Sequence, residues 1–271
     1  MPPATPRQQT PSARRAAANG QDPAFATTLA RGLGMLEAFG TGEEKLGNSE
    51  LAERTGLSRP TVTRLAQTLT ELGYLQREGG KYRPGVRVLS IAHPLLAGLR
   101  VRQLARPLMT ELATQLHSAV SLGTIDGLDA IYVETSRSAD PHPLSPDIGS
   151  STPLAQTAIG RALLSMLDAS DLRALGERLK DERPEEWRAW WKKSLAGVEE
   201  CRTRGFCISK GDFRGEVHGI ATPLMRTRSG RILSLNSGIS AFRLRPGQLE
   251  EEIGPRLVAL AATIRALAAN T

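Results

Sequence analysis

The sequence predicts an α+β protein in two parts: a small N-terminal unit of helices closed by a β-hairpin, and a larger C-terminal domain mixing helices with antiparallel strands. Three observations predict it. Between Asn48 and Leu72, two short apolar patterns of helical period meet at a glycine. Directly afterwards, Tyr74 to Gly85 carries two strand-like runs around Gly79-Gly80. From Val86 onward, helical and alternating segments interchange to Ala269. A chain of 271 residues, 40% hydrophobic and 23% charged, is long enough for a sizeable core and suits two domains better than one.

The first 24 residues, MPPATPRQQTPSARRAAANGQDPA, are rich in Pro, Ala and Arg and show no period. They read as a disordered tail and lack the apolar stretch of a signal peptide. No run approaches the roughly 18 apolar residues that span a bilayer, so no membrane partner is expected. Cys201 and Cys207 are the two cysteines, too few for a disulfide scaffold, and a cytoplasmic setting follows. The four histidines, His93, His117, His142 and His218, show no metal spacing, and no phosphate-loop, dinucleotide or nucleophile-elbow motif is present. Neither metal nor cofactor is expected. His218 stands near the residues assigned below to a pocket, as a ligand donor or a satisfied histidine.

In NSELAERTGLSRPTVTRLAQ, Ser49 is expected to cap a short helix that turns Leu51 and Ala52 inward. Gly56 supplies the left-handed corner that a sharp helix-to-helix turn needs. Ser58 caps the second helix, Pro60 suits its first turn and Gly73 its end, so Arg59 to Leu72 is helical with Val62, Leu65, Leu69 and Leu72 buried. Counting Asn48 as the first of twenty positions, the small residue Ala52 falls fifth and Gly56 ninth. The apolar residues Leu57, Val62 and Leu65 fall tenth, fifteenth and eighteenth. These offsets are those of a helix-turn-helix. The hairpin that follows, with Arg77, Lys81 and Arg83, is its wing.

Charge is divided along this unit. Ser58 to Pro84 holds five basic residues against Glu71 and Glu78, whereas Phe25 to Leu57 holds three against five acidic ones. The net charge of the whole chain is +7. The positive side is therefore the second helix and the wing, where the phosphates of duplex DNA would lie. Ser58, Arg59, Pro60, Thr61, Thr63, Arg64 and Gln67 face a major groove: Thr63 and Gln67 suit base edges, Ser58 suits a phosphate, and Arg59 and Arg64 suit guanine or phosphate. Arg77, Lys81 and Arg83 suit backbone or minor groove.

Further on, Val86 to Leu99 has helical spacing interrupted by Pro94, and its leucines pack either in a dimer seam or within the chain. Val101 to Leu116 repeats the helical pattern. AVSLGTIDGLDAIYVETSR alternates and turns at Asp126-Gly127, predicting a strand pair, and PHPLSPDIGSST is a loop. Helices are expected over Thr157–Met166, Asp171–Lys180, Pro184–Arg204 and Pro246–Ala269. Strands are expected over Gly205–Ser209, Ile220–Arg226 and Ile232–Ser237. Trp187, Trp190 and Trp191 lie at helical spacing, as a packed face or an aromatic cage.

TTLARGLGMLEAF, then NSELAERTGLSRPTVTRLAQTLTELGYLQREGGKYRPGVRVLSIA, resembles the IclR family of bacterial transcription regulators. TPLAQTAIGRALLS, ECRTRGFCISKGDFRGEVHGIATPL and GRILSLNSGISAFRL agree in order, so the likeness runs from about Ala26 to the C-terminus. The resemblance implies a winged DNA-binding domain at 25–85, a linker helix at 86–100 and, at 101–271, an α/β effector domain with an antiparallel sheet related to GAF and profilin-like folds. It implies homodimers or dimers of dimers on double-stranded, palindromic operator DNA. A small organic acid effector would switch nearby catabolic genes on or off. By the same resemblance the effector pocket maps to Thr152, Leu154, Ala158, Ile159, Ser209, Val217, Gly219, Asn236 and Gly238, with amides before the Ala158 helix available to a carboxylate. Many members carry an acidic residue where Ser209 stands and a serine where Gly238 stands. Fewer polar groups there, with Ile159 and Val217, favour a larger or partly apolar carboxylate such as an aromatic acid. The competing reading is an enzyme that uses the winged unit for regulation or docking, which would show turnover and clustered titratable residues in the pocket.

Overall fold

The structure, a computed structural model, describes residues 10, 12, 22–40, 45–139 and 145–269. The tail reading for 1–24 falls almost wholly outside these residues. Ser12 is an exception: its hydroxyl donates to Glu37 at 2.6 Å. The chain divides at Gly98/Leu99 into two compact units.

The N-terminal unit contains α1 (Thr27–Glu37), α2 (Asn48–Thr55), α3 (Arg59–Glu71), β1 (Leu75–Glu78), β2 (Lys81–Pro84) and α4 (Val88–Gly98). Ser49 does not cap α2. The cap is Gly47, whose amide donates to the Glu50 carboxylate at 2.7 Å, so a side chain three residues on satisfies the orphan donor. Gly56 ends α2 with φ of 70° in the left-handed region, and its amide donates to the Ala52 carbonyl at 2.9 Å. Ser58 is the N-cap of α3, but its hydroxyl bonds Thr61 Oγ1 at 2.9 Å rather than a backbone amide.

Met35, Leu46, Leu51, Val62, Leu65, Ala66, Leu75 and Tyr82 form the core of this unit. Each large apolar side chain buried there contributes about 1.5–3 kcal/mol. Leu72, expected inside, lies at the helix end and is exposed. Leu46 and Tyr82 exchange amide-to-carbonyl hydrogen bonds of 2.9 and 2.8 Å, which ties the wing to the segment entering α2. Helix α4 starts two residues later than the sequence suggests and has no buried residue; Leu89, Ile91 and Leu95 are exposed along it.

The C-terminal unit is built on a six-stranded antiparallel sheet in the order β5-β4-β3-β8-β7-β6. Its strands are β3 (Ala119–Asp126), β4 (Asp129–Arg137), β5 (Ser151–Pro153), β6 (Cys207–Lys210), β7 (Val217–Arg226) and β8 (Ile232–Ser240). Helices α5 (Arg100–Gln115) and α9 (Gly254–Ala269) pack on one side, over Val120, Leu122, Leu233 and Leu235. A π-type turn at Leu249–Ile253 precedes α9 where a continuous helix from Pro246 was expected. On the other side lie α6 (Ala158–Leu164) and, above it, α7 (Ala169–Glu182) and α8 (Pro184–Arg204).

Helix α6 is seated by Gly160. A Cβ at that position would overlap the Leu154 carbonyl, so only glycine allows this approach. Thr157 caps α6, accepting from the Gly160 amide at 3.2 Å. Trp187, Trp190 and Trp191 pack over Leu128, Ala155 and Leu179, the packed-face alternative for these residues.

Candidate nucleic-acid interface and ligand cup

On α3, Ser58, Arg59, Pro60, Thr63, Arg64 and Gln67 are exposed and Thr61 is half-buried, while Val62, Leu65 and Ala66 turn inward. The helix therefore presents a polar, cationic ridge because its apolar residues recur at the three- and four-residue spacing of one face. Several ridge groups are already engaged. Thr63 donates to the Arg59 carbonyl at 3.0 Å and accepts from Asn48 Nδ2 at 2.9 Å, so its hydroxyl is spoken for. Gln67 Nε2 donates to Glu71 at 3.1 Å, leaving its carbonyl oxygen outward. Asn48 is a residue that sequence reasoning missed. Its position as first of the twenty could have flagged it, but its pairing to Thr63 requires the folded corner.

The cations divide into two classes. Lys81 lies 3.5 Å from Glu50, and Arg83 lies 3.6 Å from Glu78 and donates to Gln76 at 3.0 Å. Glu78 also takes Lys45 at 2.7 Å, and these contacts hold both the Glu50 and Glu78 carboxyls below the usual carboxylate range. For Glu50 the Gly47 amide is the main cause; for Glu78 it is the hydrogen bond from Lys45. By contrast, the guanidinium groups of Arg59, Arg64 and Arg77 have no hydrogen-bond or ion-pair partner among the described residues. Those three offer uncompensated positive charge to a polyanion.

In the C-terminal unit, strand register decides which side chains share a face. The pairs Ser209↔Gly219, Gly219↔Gly238, Ala221↔Asn236 and Ser121↔Asn236 place Ser209, Gly219, Gly238 and Asn236 on the face that carries α6. Val217, Tyr132 and Thr152 share that face by the same alternation. A Cβ on Gly219 would come within 3.4 Å of Ala158 Cβ and 4.0 Å of its amide nitrogen, so β7 passes close in front of the start of α6. Ser209 donates to the Gln156 carbonyl at 3.1 Å, fixing the turn that precedes α6. The side chains of Leu154 and Ile159 pack into the core beneath this cup. His218 pairs with Lys210 and Ile239 and so lies on the opposite face, which removes it from the cup.

Tyr132 was not singled out by sequence. It lies beyond a register shift at Leu122/Gly123, which breaks simple counting along β3 and β4. Burial pushes its phenol pKa up, against the smaller lowering effects of hydrogen bonds from the Thr152 and Asn236 side chains and of the Arg214 charge. Asn236 Oδ1 is buried without a hydrogen-bond partner among the described residues. A buried polar atom left unpaired costs about 1–3 kcal/mol, which a ligand group could recover.

Beneath the cup lies a buried ion cluster. Arg161 of α6 is 1% exposed and donates to Asp212 at 2.6 Å and to the Ile208 carbonyl at 3.2 Å; Lys193 donates to the other Asp212 oxygen at 2.6 Å. Burial works to raise the Asp212 carboxyl, but the hydrogen bonds and charges of Lys193 and Arg161 outweigh it and hold it below the ordinary range. Cys201 and Cys207 are both buried, and Cys207 Sγ donates to the Ala158 carbonyl at 3.4 Å. The hydrogen bond with Cys201, then burial, pushes the Cys207 thiol well above its usual value, as for small core residues. Among the described residues no His, Cys, Asp and Glu cluster could hold a metal ion, and no helix is long and apolar enough to cross a membrane.

Two family models match the chain: the IclR helix-turn-helix domain over residues 28–79, and the bacterial transcriptional regulator IclR C-terminal domain over 93–266. The Pca regulon regulatory protein of Pseudomonas putida is 29% identical over 91% of this chain and 86% of its own length. The p-hydroxybenzoate hydroxylase transcriptional activator of Acinetobacter baylyi is 26% identical over 88% and 90%. The crystal structure of an IclR family transcriptional regulator from Brucella abortus is 33% identical, covers 94% of this chain and 98% of its own, and superposes with a TM-score of 0.75. These relatives are named as regulators, not enzymes.

Proposed function

The chain belongs to the IclR family of bacterial transcription regulators, and from that premise we propose that it represses or activates a catabolic operon in response to an aromatic carboxylic acid. The domain roles are a DNA-binding head at 25–85, a linker helix at 86–100, and an effector and oligomerisation domain at 101–271, preceded by a tail at 1–24. The head binds operator DNA through α3 and the wing, in the cytoplasm. The observation that carries the ligand reading is the buried, unpartnered Asn236 Oδ1, on the sheet face that also carries Tyr132, Thr152 and Gly219. The apolar surroundings from Val217 and Tyr132 suit a ring, and Asn236 suits a polar substituent on it. The name of the Acinetobacter relative agrees with an aromatic acid. Helix α4, apolar yet without a fully buried residue, supports assembly as a homodimer or dimer of dimers.

Effector binding regulates only if the acid binds two arrangements of the DNA heads unequally. The test is fluorescence anisotropy of the purified protein on its own upstream DNA, across a salt series and with a panel of benzoates. Binding that weakens steeply with salt and shifts with one acid is expected. Salt-independent binding, or an operator affinity that no acid in the panel moves, overturns the reading.

A further inference from the structure

Strand register also places Arg137 on the cup face, opposite Ala119 and in the row of Gly238, but its guanidinium is committed elsewhere; Ser209 and Gly238 are neutral, so the family reading leaves the charge of an acid effector without a free cationic partner. The cations around the C-terminal unit are mostly committed. Arg137 is bound to Asp147 and to the Pro146 carbonyl. Arg161 and Lys193 share Asp212, and Lys210 is bound to Glu250. Arg214 differs. It is exposed, it has no ion-pair or hydrogen-bond partner for its guanidinium among the described residues, and its contact is with the neighbouring Phe213 ring, 5.5 Å away.

Its backbone is fixed where a cup residue begins. The Val217 amide donates to the Arg214 carbonyl at 2.9 Å, the Gly211 amide donates to the Val217 carbonyl at 3.3 Å, and the Ala241 amide donates to the Glu216 carbonyl at 2.9 Å. The loop 211–216 is therefore closed on itself and pinned to the end of β8. Its root is anchored from below, because Asp212 is the residue that Arg161 and Lys193 hold. A loop secured at both ends thus holds the Arg214 backbone against Val217, and the Arg214 charge acts on Tyr132, which shares the cup face with Asn236.

We propose that Arg214 is the charge partner of the effector carboxylate, held at the rim by the Arg161–Asp212–Lys193 cluster, with the Phe213 ring beside it for the ligand's aromatic plane. The cup thus selects an aromatic acid by its charge at the rim and its ring and polar substituent within. Arg161 is a positioning residue, acting through Asp212 and the loop. This inference rests on the effector reading above.

Isothermal titration of the full-length protein with benzoate, 4-hydroxybenzoate and 4-hydroxybenzamide tests it, using the parent, Arg214→Gln, Arg214→Lys and Gly219→Val. Arg214→Gln should weaken 4-hydroxybenzoate about 10- to 100-fold, the value of a charge-assisted hydrogen bond, and leave the uncharged amide unchanged. Arg214→Lys should recover part of the loss, since it keeps the charge without the planar fork. If Arg214→Gln binds both acids like the parent while Gly219→Val does not, the cup stands and the role of Arg214 is overturned. If the parent binds neither acid, or Gly219→Val binds them as well as the parent, the cup reading falls and this inference falls with it.

Discussion

The recognition helix and the floor of the cup both hold arginines, and they treat them oppositely. Arg59, Arg64 and Arg77 sit on an exposed surface without a partner among the described residues, whereas Arg161 is almost wholly inaccessible and clasped by Asp212, with Lys193 on the same carboxylate. Solvent allows the first arrangement, because water stabilises a lone guanidinium until a phosphate replaces it. Burial forbids it, because a charge taken out of water must be paired. The same residue type is thus left open in one region and built into the architecture of the other, and the wing lies between: Lys81 is exposed and Arg83 half-buried, and both are internally compensated, by Glu50 and Glu78.

The largest effect should come from breaking the buried pair. Asp212→Ala leaves the Arg161 guanidinium uncompensated and should cost about 3–5 kcal/mol of stability, read as a lowered urea midpoint. Arg64→Ala should shift the same midpoint by less than about 0.5 kcal/mol. Equal shifts would erase the distinction. The pair also predicts an acid limb. The Asp212 carboxyl is depressed in the folded state, so its contribution is present above its unfolded pKa of about 3.9 and is lost as pH falls through the lower folded value. Asp212→Asn should flatten that limb below about pH 4, and an unchanged limb would contradict the assignment.

The next effect is on DNA. Arg64→Ala should weaken operator binding by about 1–3 kcal/mol if it reads a base, or reduce the salt slope by about 1 if it holds a phosphate. Arg59→Ala and Arg77→Ala should behave similarly. The smallest effect belongs to the compensated wing: Lys81→Ala and Arg83→Ala should each cost about 0.5 kcal/mol or less, as expected for a charge already paired at a surface. Glu78→Gln, which frees Lys45 and Arg83, should tighten binding. A wing variant weaker than Arg64→Ala would invert the ranking.

The ridge was legible in the sequence because every contact that shapes it is local. The three- and four-residue spacing of Leu65 and Ala66 from Val62, the left-handed Gly56 and the Gly79-Gly80 turn each act within a few residues. Even here the details of capping changed: Glu50 reaches back to Gly47, and the Ser58 hydroxyl turns to Thr61, because side-chain rotamers choose between competing local acceptors. In the C-terminal unit the order of strands and helices was readable, but strand parity was not. His218 looked close to the pocket by number and lies on the other face, and Tyr132 looked like one more strand residue and lies on the cup face.

The sequence by itself determined the helix-turn-helix corner, the hairpin wing, the alternation of helices and strands behind them and the positive charge of the second helix and hairpin, since period, turn chemistry and charge are properties of neighbouring residues. The tertiary structure alone decided which cations remain free, which face each sheet residue takes and how Arg161 meets Asp212, 51 positions away. Those outcomes depend on register, a strand irregularity and long-range burial, and no local rule specifies the partner that a distant segment will bring.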